Sequence, residues 1–258
     1  ETALARARER LARFGDAVTF VCGSFARLPA ILEKQNGSVV DGIVLDLGLS
    51  SLHIEDASRG FSFLREGPLD MRMSRETGKS AADLLRTCGA EELEEIFRNH
   101  GQEPQARRIA RAIVEWRRGK GAGPERPGAR RGVHGRGTED VLGSTRALAE
   151  FVQSLIGRHG KTHPATRVFQ ALRIAVNDEL ENLKKFLEVF DRSLGRGGRA
   201  CVISFHSLED RLVKRSFLEK MKSGAVAIVT KKPVRASPQE RAANPRARSA
   251  KLRCAERL

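Results

Sequence analysis

Apolar positions recur along this chain with two different periods, and the changes of period divide it. From Thr2 to Phe14, Leu4, Ala7, Leu11 and Phe14 fall at helical spacing with arginines between them, and Gly15 follows as a stop. Val18–Val21 is a short apolar run that reads as a strand, and Gly23-Ser24-Phe25 leads from it into a second helical stretch near Ala26–Lys34. Ile43-Val44-Leu45 then stops at Asp46 and passes into Gly48, Ser50 and Ser51, the way a buried strand delivers its carboxyl end into a loop. This β-α-β order with short connections predicts a parallel, doubly wound sheet.

From Ser80 the pattern is helical only. Ala81–Arg86, Ala90–Asn99 and Pro104–Trp116 carry periodic apolar positions, and Ser80 suits the N-cap of the first. Residues 117–143 are dominated by Gly, Pro and Arg, a composition expected to form a disordered basic loop. Helical periodicity returns over Thr145–Ile156 and across Pro164–Leu194. Gly195, Gly197 and Gly198 then turn the chain into a strand, Ala200–Phe205. After His206-Ser207-Leu208-Glu209-Asp210 come a helix from Arg211 to Lys222, a strand Ala225–Thr230 and a basic tail, Lys231–Leu258. The expected fold class is α/β: a discontinuous sheet domain, residues 1–79 and 174–258, interrupted by an all-helical domain, 80–173.

The stretch Asp41–Met73 is the candidate floor of a site, because ligands of open α/β sheets bind beyond the carboxyl ends of strands. Its Arg59, Gly60, Arg65, Gly67, Asp70 and Arg72 alternate with Phe61, Phe63, Met71 and Met73, too polar for a core and too apolar for a linker. Charge narrows the partner: 47 Lys and Arg against 32 Asp and Glu give +15, which favours a polyanion over a basic surface that merely confers solubility. Cys22, Cys88, Cys201 and Cys254 form no CxxC pair, so neither a zinc knuckle nor a disulfide framework is indicated, and reduced thiols in a cytosol-like compartment are expected. No apolar run reaches the roughly 18 residues of a membrane span, and no signal peptide is visible.

Several motifs resemble one family. They are LDLGLSS at 45–51, RGFSFLREGPLDMRM at 59–73, ARRIARAIVE at 106–115, HPATRVFQALRIAVNDEL at 163–180, SFHSLEDRLVKR at 204–215 and NPRARSAKLR at 244–253. Together they are similar to the ribosomal RNA small subunit methyltransferase H (MraW) family, whose members methylate N4 of a decoding-centre cytidine with S-adenosylmethionine. The resemblance implies a Rossmann-like methyltransferase sheet with an inserted helical substrate domain. It also implies a first strand, a glycine-rich cofactor loop and an acidic strand end that would precede Glu1. A fragment or mis-started gene model is therefore expected, in preference to a degenerate homologue that binds ribosomal RNA without catalysis.

Carried onto this sequence, the resemblance implies cofactor contacts at Phe25, Asp46 and His53. His53 stands where the family's SSPQ motif has Gln, and Leu52 replaces its Pro. From spacing alone Phe25 is nearly as well explained as a core residue, Asp46 as a turn former and His53 as a surface histidine. Methylating an exocyclic amine requires in-line positioning and an acceptor for the amino hydrogens, for which Asp46, Asn177 and His206 are the candidates. No ligand spacing calls for a metal, and transfer from a sulfonium needs none. Arg107, Arg108 and Arg111, Arg167 and Arg173, Arg211 and Lys214, and Arg246, Arg248 and Lys251 form clusters suited to phosphate contacts. With no Tyr and one Trp, base stacking would fall to Phe61 or Phe63. The expected partner is small-subunit ribosomal RNA, within the assembled subunit, in a bacterial-type cytoplasm or an organelle.

Overall fold

The computed structural model describes residues 2–35, 37, 39–119, 140–157 and 162–258. The chain begins with helices α1 (Thr2–Leu11) and α2 (Leu28–Lys34), strand β1 (Val40–Asp46) and the short helix α3 (Ser51–Glu55). Among the described residues the helices α4 (Ala81–Thr87), α5 (Ala90–Gly101), α6 (Ala106–Arg117), α7 (Thr145–Ile156) and α8 (Ala165–Val176) follow. Then come α9 (Glu179–Val189), β2 (Leu194–Ser204), α10 (Ser207–Lys222), β3 (Val226–Ile228), β4 (Val234–Arg235), α11 (Pro238–Ala243) and β5 (Lys251–Arg257). The chain divides into two compact units, Glu1–Gly48 with Glu179–Leu258, and Leu49–Asp178.

The first unit is built on a sheet of order β1-β2-β5-β3, with β4 also on β5. β1 and β2 are parallel, Leu45 opposite Val202, but β5 runs antiparallel to both β2 and β3. The sheet is therefore mixed rather than wholly parallel, within an α/β, Rossmann-like fold. Alternation puts Leu45, Ala200, Val202 and Ala255 on one face, where Leu183 and Phe186 of α9 and Val213 and Phe217 of α10 cover them. An aromatic row, Phe25–Phe186–Phe190–Phe217, has successive centroids 5.9, 6.0 and 5.2 Å apart, spacings at which ring pairs contribute about 0.5–1.5 kcal/mol each beyond area burial.

Several expectations are corrected here. Val18–Val21 forms no strand, because no ladder among the described residues takes up its backbone groups. The helix expected across 164–194 is two helices, α8 and α9, broken where Asp178 takes φ 48° and the chain passes from one unit to the other. The glycines at 195–198 belong to β2 as a bulge opposite Val40–Gly42. The basic tail ends in β5, an interior strand of the sheet, whose Arg253 is 8% exposed on the covered face and is neutralised by Asp210 of α10. Most of the basic loop expected at 117–143, residues 120–139, lies outside the described residues.

The second unit is helical and has its own core. α5 lies against both α6 and α8, and Phe97, Ile109, Ile113, Leu148, Val152 and Leu172 are buried between the helices. Ser80 caps α4 as expected: its Oγ accepts from Asp83 N–H, and the Asp83 carboxylate accepts from Ser80 N–H. The unit starts at Leu49 rather than at residue 80, because Leu69 and Met71 of the preceding loop are 1% and 0% exposed in this core.

That loop crosses itself closely. A Cβ on Gly60, at φ 72°, would lie 2.1 Å from the Pro68 carbonyl oxygen, and one on Gly67 would lie 2.0 Å from that of Ala57. Only glycine fits either place. Buried Thr145 ties the crossing to α7: its Oγ1 accepts from Gly67 N–H at 3.0 Å and donates to the Arg65 carbonyl at 3.1 Å. No helix among the described residues is long and apolar enough to cross a membrane.

Candidate functional site

In the sheet unit, Asp46 is the last residue of β1, and His206 lies just beyond the carboxyl end of β2, the adjacent parallel strand. Asp46 pairs in register with Ile203, and Leu47 N–H donates to the Ile203 carbonyl at 3.0 Å. Gly48, at φ 96°, turns away beside the Phe205 ring. The Asp46 side chain is exposed, yet the surrounding chain crowds the carboxylate enough that partial burial raises its pKa. Its carboxylate has no hydrogen-bond partner among the described residues, which leaves both oxygens free to accept from a ligand.

His206 is more committed. It caps α10: its Nδ1 accepts from Glu209 N–H at 3.4 Å, and Oε2 of the 2% exposed Glu209 accepts from Phe205 N–H at 2.8 Å and His206 N–H at 3.2 Å. With Nδ1 accepting, the ring hydrogen of the neutral imidazole sits on Nε2, which lies 3.2 Å from Oε1 of Glu209 without hydrogen-bond alignment. Glu179, His206 and Glu209 offer atoms within 4.8 Å of one another and are the grouping among the described residues that could hold a metal ion. Ligation through Nε2 would require the proton to move to Nδ1 and break the cap. Glu209 was not singled out from sequence, although His206-x-x-Glu209 has the spacing of a capping box.

Phe25 is half-buried and forms a T-shaped pair with Phe186, so its ring is partly engaged by the core. His53 and Asn177 belong to the helical unit. His53 packs against Phe61 at 5.5 Å between centroids, and its Nδ1 lies 3.3 Å from Ser50 Oγ. Burial and the nearby Arg59 guanidinium lower its pKa, so the ring is neutral at pH 7. Asn177 does not face solvent freely: its side chain bonds the backbone at Met71 and Met73 and the Arg173 carbonyl. Arg59, Asp70 and Arg72, placed by sequence in the candidate floor without individual roles, are tied into the loop: Arg59 donates to the carbonyls of Arg72 and Met73 at 2.6 and 2.8 Å, and the Asp70–Arg72 pair is closed at 2.9 Å.

The basic clusters separate by environment. Arg107, Arg108 and Arg111 are exposed on α6 and line an open groove of about 540 Å³ with Pro104, Glu115 and Leu155. Arg167 is exposed on α8, whereas Arg173 is half-buried. In the other unit Arg211, Lys214, Arg246 and Arg248 are exposed, and Arg248 lines a second open groove with Pro238, Arg241 and Pro245. Lys251 is half-buried in β5, its Nζ 3.0 Å from Asp210 Oδ2, while Arg253 Nε holds Oδ1 at 2.7 Å. Burial alone would push the Asp210 carboxyl up, but these two cations outweigh it and hold it below the usual range.

Relatives match the chain in sequence along most of their length. Proteins named ribosomal RNA small subunit methyltransferase H from Trichlorobacter lovleyi and Anaeromyxobacter dehalogenans are 44% and 46% identical over 99% of the chain, which covers 81% and 82% of them. One of the same name from a Cyanothece species is 45% identical over the whole chain and 78% of its own length. The MraW methylase family matches residues 1–258, and the chain belongs to that family.

Proposed function

We propose that this protein transfers a methyl group from S-adenosylmethionine to N4 of a cytidine in small-subunit ribosomal RNA, in the cytoplasm. The observation that carries the reading is the unpaired Asp46 carboxylate at the end of β1, beside the capped His206 at the end of β2. The names of the relatives supply the substrate class.

The donor would supply an electrophilic methyl on a sulfonium. Asp46 suits the acceptor role on the chain's side: with both oxygens free, it can take the amino hydrogens of cytosine and turn the nitrogen lone pair towards the methyl. Partial burial raises its pKa and so makes it a better proton acceptor than an ordinary aspartate. His206 holds the turn between β2 and α10 and acts as a positioning residue. Phe25 offers a ring face beside the sheet and His53 a neutral ring, both suited to cofactor contact. Asn177 shapes the loop of Met71–Met73 rather than touching the reacting atoms.

The helical unit is assigned to RNA. The groove of Arg107, Arg108 and Arg111 suits phosphates without reading sequence, and Arg167, exposed on α8, is a further cation of the same unit. Arg211, Lys214, Arg246 and Arg248 offer a second basic set; Lys251 is assigned to Asp210 instead.

The test is incubation of small ribosomal subunits with the protein and isotopically labelled S-adenosylmethionine, followed by nucleoside mass spectrometry. Labelled N4-methylcytidine is expected; label on another nucleoside, or none with a protein that binds the cofactor in calorimetry, overturns the assignment.

A further inference from the structure

Cys201 and Cys254 stand directly opposite each other on the antiparallel strands β2 and β5. The peptide N–H of Cys254 donates to Thr230 Oγ1 at 2.9 Å, and its carbonyl accepts from Val229 N–H at 3.0 Å. Both backbone groups thus point away from β2. Towards β2, Cys254 occupies a non-hydrogen-bonded position, where opposed side chains lie closest and Cα atoms are about 4.5 Å apart. Disulfides span Cα separations of about 4.4–6.8 Å, so the pair can close without moving either strand.

We propose that Cys201 and Cys254 form a redox-modification site, a cross-strand dithiol that closes to a disulfide on two-electron oxidation by a hydroperoxide. Both thiols are free in the structure. Cys201 is only half-buried, so of the two thiols it is the more accessible to a small oxidant. Cys254 is 5% exposed, and burial, together with its hydrogen bond to the Cys201 thiol, pushes it up to about 12. Cys201 is therefore the first to react.

Its thiolate attacks one peroxide oxygen, the O–O bond breaks, and the departing hydroxide, or the alkoxide of an organic hydroperoxide, takes a proton to leave as water or as the alcohol. Cys201 is left as the sulfenic acid. Cys254 sulfur then attacks that sulfur, the S–O bond breaks, and the hydroxide takes the Cys254 proton to leave as water. Two thiols lose two hydrogens, and the peroxide is reduced by two electrons.

The experiment is titration of the reduced protein with hydrogen peroxide, alkylation in denaturant and peptide mapping without reductant. The thiol count should fall from four to two, with a Cys201–Cys254 cross-linked peptide that dithiothreitol separates. A Cys22→Ser background removes the exposed thiol and should give the same peptide. Cys254→Ser should strand a dimedone-reactive sulfenic acid on Cys201, and Cys201→Ser should leave Cys254 alkylatable. The wild-type map decides the matter even where a variant fails to fold. The proposal is overturned if Cys201 passes to the sulfinic acid while Cys254 stays alkylatable, or if the disulfides formed join Cys22 of separate molecules.

Discussion

Asn177 holds Met71 across 106 residues of sequence, its Nδ2 donating to the Met71 carbonyl at 2.7 Å. Its Oδ1 accepts from Met73 N–H, also at 2.7 Å, so one amide clamps both sides of Arg72. Met71 needs the clamp. It is fully buried with φ 60°, a left-handed conformation that costs a non-glycine residue about 1–2 kcal/mol. Asn177→Ala should lower stability by about 2 kcal/mol, the cost of removing its side-chain hydrogen bonds to Met71, Met73 and Arg173 and leaving the Met71 and Met73 groups without them. Urea unfolding measures it; an unchanged midpoint would show that the loop keeps its shape unaided.

Gly60 and Gly78 both have positive φ, at 72° and 82°, but differ in surroundings. Gly60→Ala drives a methyl into the Pro68 carbonyl and should cost more than about 3 kcal/mol, whereas Gly78→Ala meets open space and should cost only the backbone strain, about 1 kcal/mol. Equal thermal shifts in the two variants would refute the close crossing of the loop.

Acid should weaken the helical unit through Asp70. The hydrogen bonds and charge of Arg72 outweigh burial and hold the Asp70 carboxyl below the usual range. The folded pKa is thus lower than the unfolded one, near 3.9, so the stabilisation is complete above that value and is lost as pH falls below it. The stability difference between wild type and Asp70→Asn should be constant near neutrality and shrink below about pH 4. Denaturation midpoints across that range test this; a difference that grows with acid has the wrong sign.

Asp46→Asn keeps the shape of the side chain and removes its charge. A lost proton acceptor should lower kcat by about 10²–10⁴-fold, with the unfolding midpoint little changed because the carboxylate is exposed. Since its pKa is raised, the wild-type rate should climb with pH through a value above that of an ordinary aspartate, and the climb should vanish in the variant. A variant with wild-type kcat would remove Asp46 from the chemistry.

Neutralising the α6 groove should weaken RNA binding evenly across sequences. Arg107→Gln, Arg108→Gln and Arg111→Gln together should reduce the slope of log K against log salt by roughly 2, at about 0.7 per single-strand phosphate contact. A lower affinity with an unaltered slope would mean that the groove does not meet phosphates.

Local pattern sufficed where one segment decides its own state. Thr145–Ile156 is helical over the expected span, Ser80 caps α4, and the Ile43–Leu45 run lies in β1. It failed where the deciding partner is distant. Lys251 and Arg253 read as tail charges because the carboxylate that lets them enter a sheet, Asp210, is on another element. Val18–Val21 has strand composition, but pairing needs a neighbour that composition does not specify. The break at Asp178 carries neither Gly nor Pro, and the burial of Leu69 and Met71 follows no period. At the candidate site, the strand-end place of Asp46 was legible, whereas the engagement of His206 and Asn177 was not, since both are fixed by hydrogen bonds to backbone groups.

β1 and β2 are adjacent in space, but residues 47–193 intervene, and most of them form one contiguous compact unit. During synthesis β1 leaves the ribosome long before its partner exists, and its edge must wait for β2 through the making of the helices α3–α9. The inserted helices mature on local contacts, a fast process, and shorten the effective tether between the two strands as they do so. Damage to the insert should therefore surface as sheet aggregation in nascent chains, at a place distant from the lesion.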